Sequence, residues 1–123
     1  MVAVTFHEIS HGIAALLTGG RVFGYAISPG GGGVTFGVGG HYLTILLAGY
    51  LGSCLAGTLL YVASVRWKPA SAIIAIELFI LATAYLGWLT NATVLYRPLV
   101  HLALMTAILW TPEWTQLLYI RVL

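Results

Sequence analysis

The sequence has very few charged residues. Lysine, arginine and glutamate together supply 7% of its 123 residues, while hydrophobic residues supply 60%. A soluble globular domain carries roughly 25% charged residues to cover its surface. Because this chain cannot build such a surface, we expect lipid to cover most of it. The composition therefore predicts an all-α membrane protein that forms a single transmembrane domain over residues 1–123, with membrane lipids as its surroundings.

Aspartate is absent altogether, and there is one cysteine, Cys54, which excludes an internal disulfide. The five basic and three acidic residues are scattered along the chain rather than clustered. A nucleic-acid surface needs clustered basic residues, so no nucleic-acid partner is expected. The basic residues are instead typical of helix ends at a membrane interface.

Apolar segments divide the chain into three or four predicted transmembrane helices. A glycine stop closes the first segment, Arg66–Pro69 closes the second, and Arg97–Pro98 interrupts the last. Proline removes a backbone donor and breaks a helix, so the last helix is expected to be short or broken. The predicted segments are helices over about 2–17, 41–65 and 70–90, a broken or short helix over about 92–110, and an interfacial tail over 114–123.

Between the first two helices, residues 22–40 have a different pattern. Ser28-Pro29 leads into four glycines, and Val34–Val38 then mixes apolar and small residues. This alternation around a glycine turn indicates two short strands. Non-helical backbone at membrane depth must be buried in protein or line a wet cavity. We therefore expect a glycine-rich re-entrant β-hairpin over about 22–40.

The first segment contains His7-Glu8-Ile9-Ser10-His11. On a helix, positions i and i+4 lie on one face, so His7 and His11 can bind the same zinc ion. In this motif Glu8 takes a proton from zinc-bound water and passes it to the leaving amine. The alternative is a set of inert, hydrogen-bonded polar residues. Ionisable residues inside a membrane helix are costly, which favours the metal site.

The residues from His7 to Val22 closely resemble the site-2 protease family of intramembrane zinc metallopeptidases, and most of all its small bacterial branch without PDZ domains. The likeness continues through the glycine hairpin and Leu47–Gly52, and it covers about residues 2–60. It implies Zn²⁺ as cofactor, His7 and His11 as its ligands, and Glu8 as the general base.

The resemblance also implies a substrate and a location. Membrane proteins would be cleaved in or near the bilayer of a bacterial inner membrane, or of an organelle membrane of bacterial descent. The hairpin would present its edge to an unwound substrate by strand addition. The residues expected to bind substrate are Gly31, Gly32, Gly33 and Val34.

The family takes its third zinc ligand from an aspartate on a later helix, and this chain has no aspartate. Glu77 has suitable chemistry, although it could equally be a carboxyl bonded to a neighbouring side chain or backbone group. His101, Asn91 and His41 are further candidates. In addition, only six residues precede His7, about 9 Å of helix against roughly 15 Å from bilayer centre to edge. We therefore expect either a shortened relative or an incomplete sequence.

Small residues recur along the second helix at the spacing that allows helices to approach closely. We expect them to pack against the first and third segments, although a partner protein could use the same stripe. The predicted helix-packing residues are Gly49, Gly52, Ser53 and Gly57.

Two functions follow from these residues. One is a site-2 protease-like metallopeptidase, either active or catalytically inactive. The other is a non-catalytic, metalloprotease-like transmembrane subunit of a larger membrane complex, which the missing aspartate favours. Zinc binding separates the two, because the second function does not require it.

Overall fold

The computed structural model describes residues 2–28, 30–85 and 96–122, and it leaves out the side chains of residues 83–85, 96–98 and 101. The described part is mostly helical and has one small antiparallel sheet, as predicted. It contains five helices where three or four were predicted. The elements are α1 (Val2–Leu17), β1 (Arg21–Ile27), β2 (Gly33–Val38), α2 (Tyr42–Arg66), α3 (Pro69–Tyr85), α4 (Tyr96–Leu109) and α5 (Glu113–Val122).

The glycine pair after α1 ends that helix. Gly19 has φ +85°, a left-handed conformation that glycine adopts without strain. Its N–H donates to Leu16 O at 3.2 Å, and the N–H of Gly20 donates to Ala15 O at 2.7 Å. This pair of bonds is a Schellman motif, which satisfies the last carbonyls of the helix and turns the chain into β1.

The hairpin lies along α1. Its strands pair with Tyr25 opposite Thr35 and Ile27 opposite Gly33, so these four residues share one face of the ribbon. Tyr25 and Ile27 are buried on that face together with Ile9 of α1. Burial of these apolar side chains fixes the ribbon against α1 and turns Thr35 and Gly33 of β2 towards the same helix.

Helix α2 is the most exposed long element, with Gly49 and Ser64 as its buried residues. Its 25 residues extend about 37 Å. In the described part of the chain it is the one helix long and apolar enough to cross a membrane, whereas Val2–Leu17 and Pro69–Ala82 are apolar but shorter. Insertion of α2, of the other helices and of the hairpin into a bilayer stays a prediction.

The main core is formed by residues from both the beginning and the second half of the chain. It joins the start of α1 to α3 and α4, and the residues buried in it are Val2, Ile73, Ile76, Ile80 and Met105. Helix α5 covers most of the predicted interfacial tail, and its Tyr119 and Ile120 pack on this core. Arg97 and Pro98, where an interruption was predicted, lie in the first turn of α4. A proline at this position removes no helical hydrogen bond.

Candidate metal and catalytic site

His7 and His11 lie one turn apart on the face of α1 that α2 covers. Their Nε2 atoms are 3.0 Å apart, and their rings meet edge to face with centroids 4.5 Å apart. Two nitrogens on one tetrahedral zinc, at about 2.0–2.1 Å each, would lie roughly 3.3–3.4 Å apart. The two imidazoles therefore fit two of the four positions around a zinc ion with a shift of a few tenths of an ångström.

The backbone of α2 sets the tautomer of His11. Its Nδ1 lies 2.6 Å from Ile45 O, and a carbonyl oxygen can only accept, so Nδ1 carries the hydrogen and donates it. In the neutral imidazole, Nε2 is then left with its lone pair. A hydrogen bond of this kind is what orients metal-binding histidines and prepares the opposite nitrogen as a ligand.

Gly49 lets α2 pass this close to the two imidazoles. A Cβ at this position would lie 2.5 Å from His11 Cε1 and Nε2 and 2.6 Å from His7 Cε1. On the next residue of α2, the Tyr50 ring meets the His7 ring edge to face at 4.7 Å. The backbone of Gly49 and the ring of Tyr50 thus hold the imidazoles from the side of α2.

Glu8 is 5% exposed, and its side chain lies against strand β2. The Thr35 hydroxyl is 2.7 Å from Glu8 Oε2 and also 2.7 Å from Glu8 O. A Cβ at Gly33 would lie 2.5 Å from Glu8 Cγ and 2.6 Å from Oε1. The carboxyl therefore occupies space that only a glycine at position 33 leaves free, with Thr35 bonded to its other oxygen.

His7, Glu8 and His11 line a cavity of about 400 Å³ between α1, β2 and the start of α2. Thr35, Tyr42 and Leu46 are among its other lining residues. A second cavity of about 390 Å³ also reaches His7 and Glu8, and it is bounded by Gly31–Gly33 and Tyr50. Glu8 and His7 thus border two cavities.

No third metal ligand joins the histidines within the described residues, where no three His, Cys, Asp or Glu side chains form a metal-binding group. Glu77 lies on α3, and its Oε1 accepts a hydrogen bond of 3.0 Å from the Thr106 hydroxyl of α4. His41 precedes α2 and bonds Thr44 at 2.9 Å through Nδ1. Asn91 and the side chain of His101 lie outside the described residues.

The predicted substrate-binding residues divide between the turn and β2. Gly31 and Gly32 are exposed in the turn, and Gly33 and Val34 begin β2. Val34 is 48% exposed on the face of the ribbon opposite Thr35.

The predicted packing residues fall into two groups. Gly49 and Gly52 are the two at which α2 approaches α1, since a Cβ at position 52 would clash with the Ser10 hydroxyl. A Cβ at Gly57 would meet nothing within 4 Å. Gly57 and Ser53 instead line a groove of about 350 Å³.

Three contributors to the site were not predicted from the sequence: Thr35, the carbonyl of Ile45, and Tyr50. Thr35 carried a detectable signal, because it is the polar residue between apolar neighbours of a predicted strand. A backbone carbonyl carries none, since every residue has one. Tyr50 lies in the quoted run Leu47–Gly52, but its ring contact depends on how α2 packs on α1.

A comparison with protein families agrees with this arrangement. The model of the Peptidase M50B-like family matches residues 1–123. The chain therefore belongs to this family, the site-2 protease family of peptidases. The match continues past residue 60, where the resemblance seen in the sequence alone had faded. Neither the curated proteins nor the solved structures contain a match.

Proposed function

We propose that this chain is a site-2 protease-like zinc metallopeptidase that hydrolyses peptide bonds in or near the bilayer. The observation that carries the proposal is the convergence of two imidazole Nε2 atoms, 3.0 Å apart, beside the buried carboxyl of Glu8 in one cavity. Membership of the family supports the same activity.

His7 and His11 would hold the zinc, with a third ligand from outside the described residues or from another molecule. A zinc ion held there would supply an activated water and polarise the substrate carbonyl. Glu8 accepts the proton of the attacking water and later donates it to the leaving amine. Its Oε1, which Thr35 does not bond, is the oxygen available for this transfer.

Strand β2 is the element that would hold the substrate. In a two-stranded ribbon each strand has one unpaired edge, and β2 lines the cavity that contains Glu8. An extended peptide can pair with such an edge through main-chain hydrogen bonds. Gly31, Gly32, Gly33 and Val34 would contact it, and a membrane-spanning helix would have to unwind to reach them.

A membrane location is supported by the family and by α2, which is long and apolar enough to span a bilayer. We place the chain in a bacterial inner membrane or an organelle membrane of bacterial descent, with lipids and other membrane proteins as its partners.

A second candidate is a non-catalytic subunit of a membrane complex. The observation that favours it is the lack of a three-residue metal-binding group within the described residues. In this reading His7 and His11 keep their hydrogen bonds to each other and to Ile45, and no zinc is needed.

Zinc content and proteolysis decide between the two. The chain, reconstituted in lipid nanodiscs, should bind one zinc per molecule and cleave a fluorogenic transmembrane peptide whose centre carries helix-breaking residues. Glu8→Gln should keep the zinc and lower kcat by about 10²–10⁴-fold, because the base is lost while the ligands remain. Glu113→Gln, the same change at the exposed start of α5, is the control and should leave kcat unchanged. Absence of stoichiometric zinc, with equal rates for the wild type and Glu8→Gln, would rule out the metallopeptidase and leave the non-catalytic subunit as the proposal.

A further inference from the structure

Thr35 occupies a special place between the hairpin and the base. It is half-buried on the face of β2 that packs on α1, and its partner across the ribbon, Tyr25, is 2% exposed. Burial of Tyr25 against Ile9 therefore fixes where the Thr35 hydroxyl can lie. That hydroxyl is 2.7 Å from two acceptors of one residue, Glu8 O and Glu8 Oε2.

A hydroxyl has one hydrogen, so it can donate to only one of these acceptors at a time. An ionised carboxylate accepts a stronger hydrogen bond than a neutral carbonyl. Glu8 O is also the carbonyl that the helix uses for its own i+4 bond. Of the two acceptors at 2.7 Å, Oε2 of the Glu8 carboxylate is therefore the one to which we expect the hydroxyl to donate.

This bond leaves the carboxylate with a defined orientation. Oε2 is held by Thr35, while Oε1 lies against Gly33, where a Cβ would come within 2.6 Å of it. The backbone on both sides of Thr35 belongs to the strand with the unpaired edge. A peptide that pairs with this edge would therefore also restrict Thr35, whose hydroxyl orients the Glu8 carboxylate.

We propose that Thr35 is a positioning residue, which fixes the Glu8 carboxylate through its hydroxyl and links the orientation of that carboxylate to strand β2. The catalytic part of this inference rests on the proposed function. Its physical part, a hydrogen bond from Thr35 to the carboxylate rather than to the carbonyl alone, does not.

The catalytic part is tested with three variants of the full chain in nanodiscs. Thr35→Val keeps the β-branched shape and removes the hydroxyl, and it should lower kcat about tenfold or more with KM within about twofold. Thr35→Ser restores the hydroxyl and should recover most of kcat. Thr106→Val removes a hydroxyl–carboxylate bond of 3.0 Å between α4 and α3, and it should leave both constants unchanged.

A kcat for Thr35→Val within about twofold of the wild type, or no recovery with serine, would overturn the positioning role. A rise in KM alone would do so as well, because it would show that Thr35 shapes the substrate strand and not the base.

The physical part is tested without activity, by amide hydrogen exchange of residues 33–38. Thr35→Val should speed their exchange roughly tenfold in the wild-type background. In a Glu8→Ala background the hydroxyl keeps only the carbonyl of residue 8 as acceptor, and a neutral carbonyl accepts a weaker hydrogen bond than a carboxylate, so the same change should speed exchange clearly less than tenfold. A full tenfold effect there would mean that the hydroxyl bonds the carbonyl alone, and the inference would be wrong. If the wild type binds no zinc and cleaves nothing, the proposed function fails, while exchange still decides whether Thr35 holds Glu8.

Discussion

Gly49 lies where α2 passes closest to the two imidazoles of α1. Its missing side chain leaves room for both imidazoles, because a Cβ there would overlap atoms of both rings. The same backbone brings the Ile45 carbonyl to His11. One turn of α2 therefore supplies both the space for the two imidazoles and the hydrogen bond that orients His11.

Gly49→Ala should consequently weaken zinc binding. The added methyl group must displace His7, His11 or α2 itself, and loss of support for a ligand costs about 10–100-fold in metal affinity. Competition with a chromogenic zinc chelator measures this affinity. Gly57→Ala, on the same helix but facing open space, should change it by less than about twofold. Equal affinities for the two variants would show that Gly49 does not support the ligands.

For individual residues, the sequence predicts relations between positions that are close together in the chain. The spacing of His7 and His11 places both rings on one helical face whatever the rest of the fold does. The contacts of Thr35 and Ile45 with the motif join residues 27 and 34 positions apart. No local pattern reports such contacts, which depend on how the hairpin and α2 pack on α1.

The hairpin packs directly on α1. Tyr25 and Ile27 attach the ribbon to Ile9 through apolar contacts, and Gly33 lets it approach the Glu8 side chain. The ribbon therefore covers the Glu8 side chain with one face and exposes Val34 on the other.

Gly33→Ala should separate these elements. Its Cβ would lie 2.5 Å from Glu8 Cγ, and overpacking of this kind costs about 1–3 kcal/mol of unfolding free energy. Unfolding by titration with a denaturing detergent measures the loss. Gly32→Ala, one residue earlier in the turn with nothing within 4 Å, should be close to neutral. The account of this contact would be wrong if position 32 proved as sensitive as position 33.

The order of the elements was more predictable than their ends and their packing. Glycine and proline signals locate the end of α1, the hairpin turn and the start of α3, since these residues act on the backbone directly. The helical form of residues 113–122 was missed, because a short run after Pro112 has the composition of an interfacial tail. Its burial against α3 is a tertiary effect.

As a whole, the molecule is unevenly packed. The ends of the chain meet in a core of α1, α3, α4 and α5, whereas most side chains of α2 are exposed. Apolar exposure on this scale needs lipid or another protein to cover it. The large residues exposed on α2 include Leu43, Leu47, Leu51, Leu55 and Leu59.

The single cysteine tests whether lipid provides that cover. Cys54 is exposed at the midpoint of α2, about 18 Å from either end. A water-soluble maleimide should leave it unlabelled in proteoliposomes and label it fully after denaturation in detergent, since the reactive thiolate needs water. A cysteine introduced as Trp67→Cys in a Cys54→Ser background, at the end of the helix, should be labelled in both conditions. Rapid labelling of Cys54 in intact proteoliposomes would contradict a spanning α2.

A helix of about 37 Å is longer than the roughly 30 Å of hydrocarbon in a typical bilayer, and such a helix tilts to fit. The tilt depends on how thick the surrounding membrane is. His11 donates its Nδ1 hydrogen to Ile45, which is in the first turn of this helix. If α2 spans the bilayer, a change in lipid chain length would change its tilt and hence the position of the Ile45 carbonyl that orients His11, so that bilayer thickness would alter any zinc affinity of the two imidazoles.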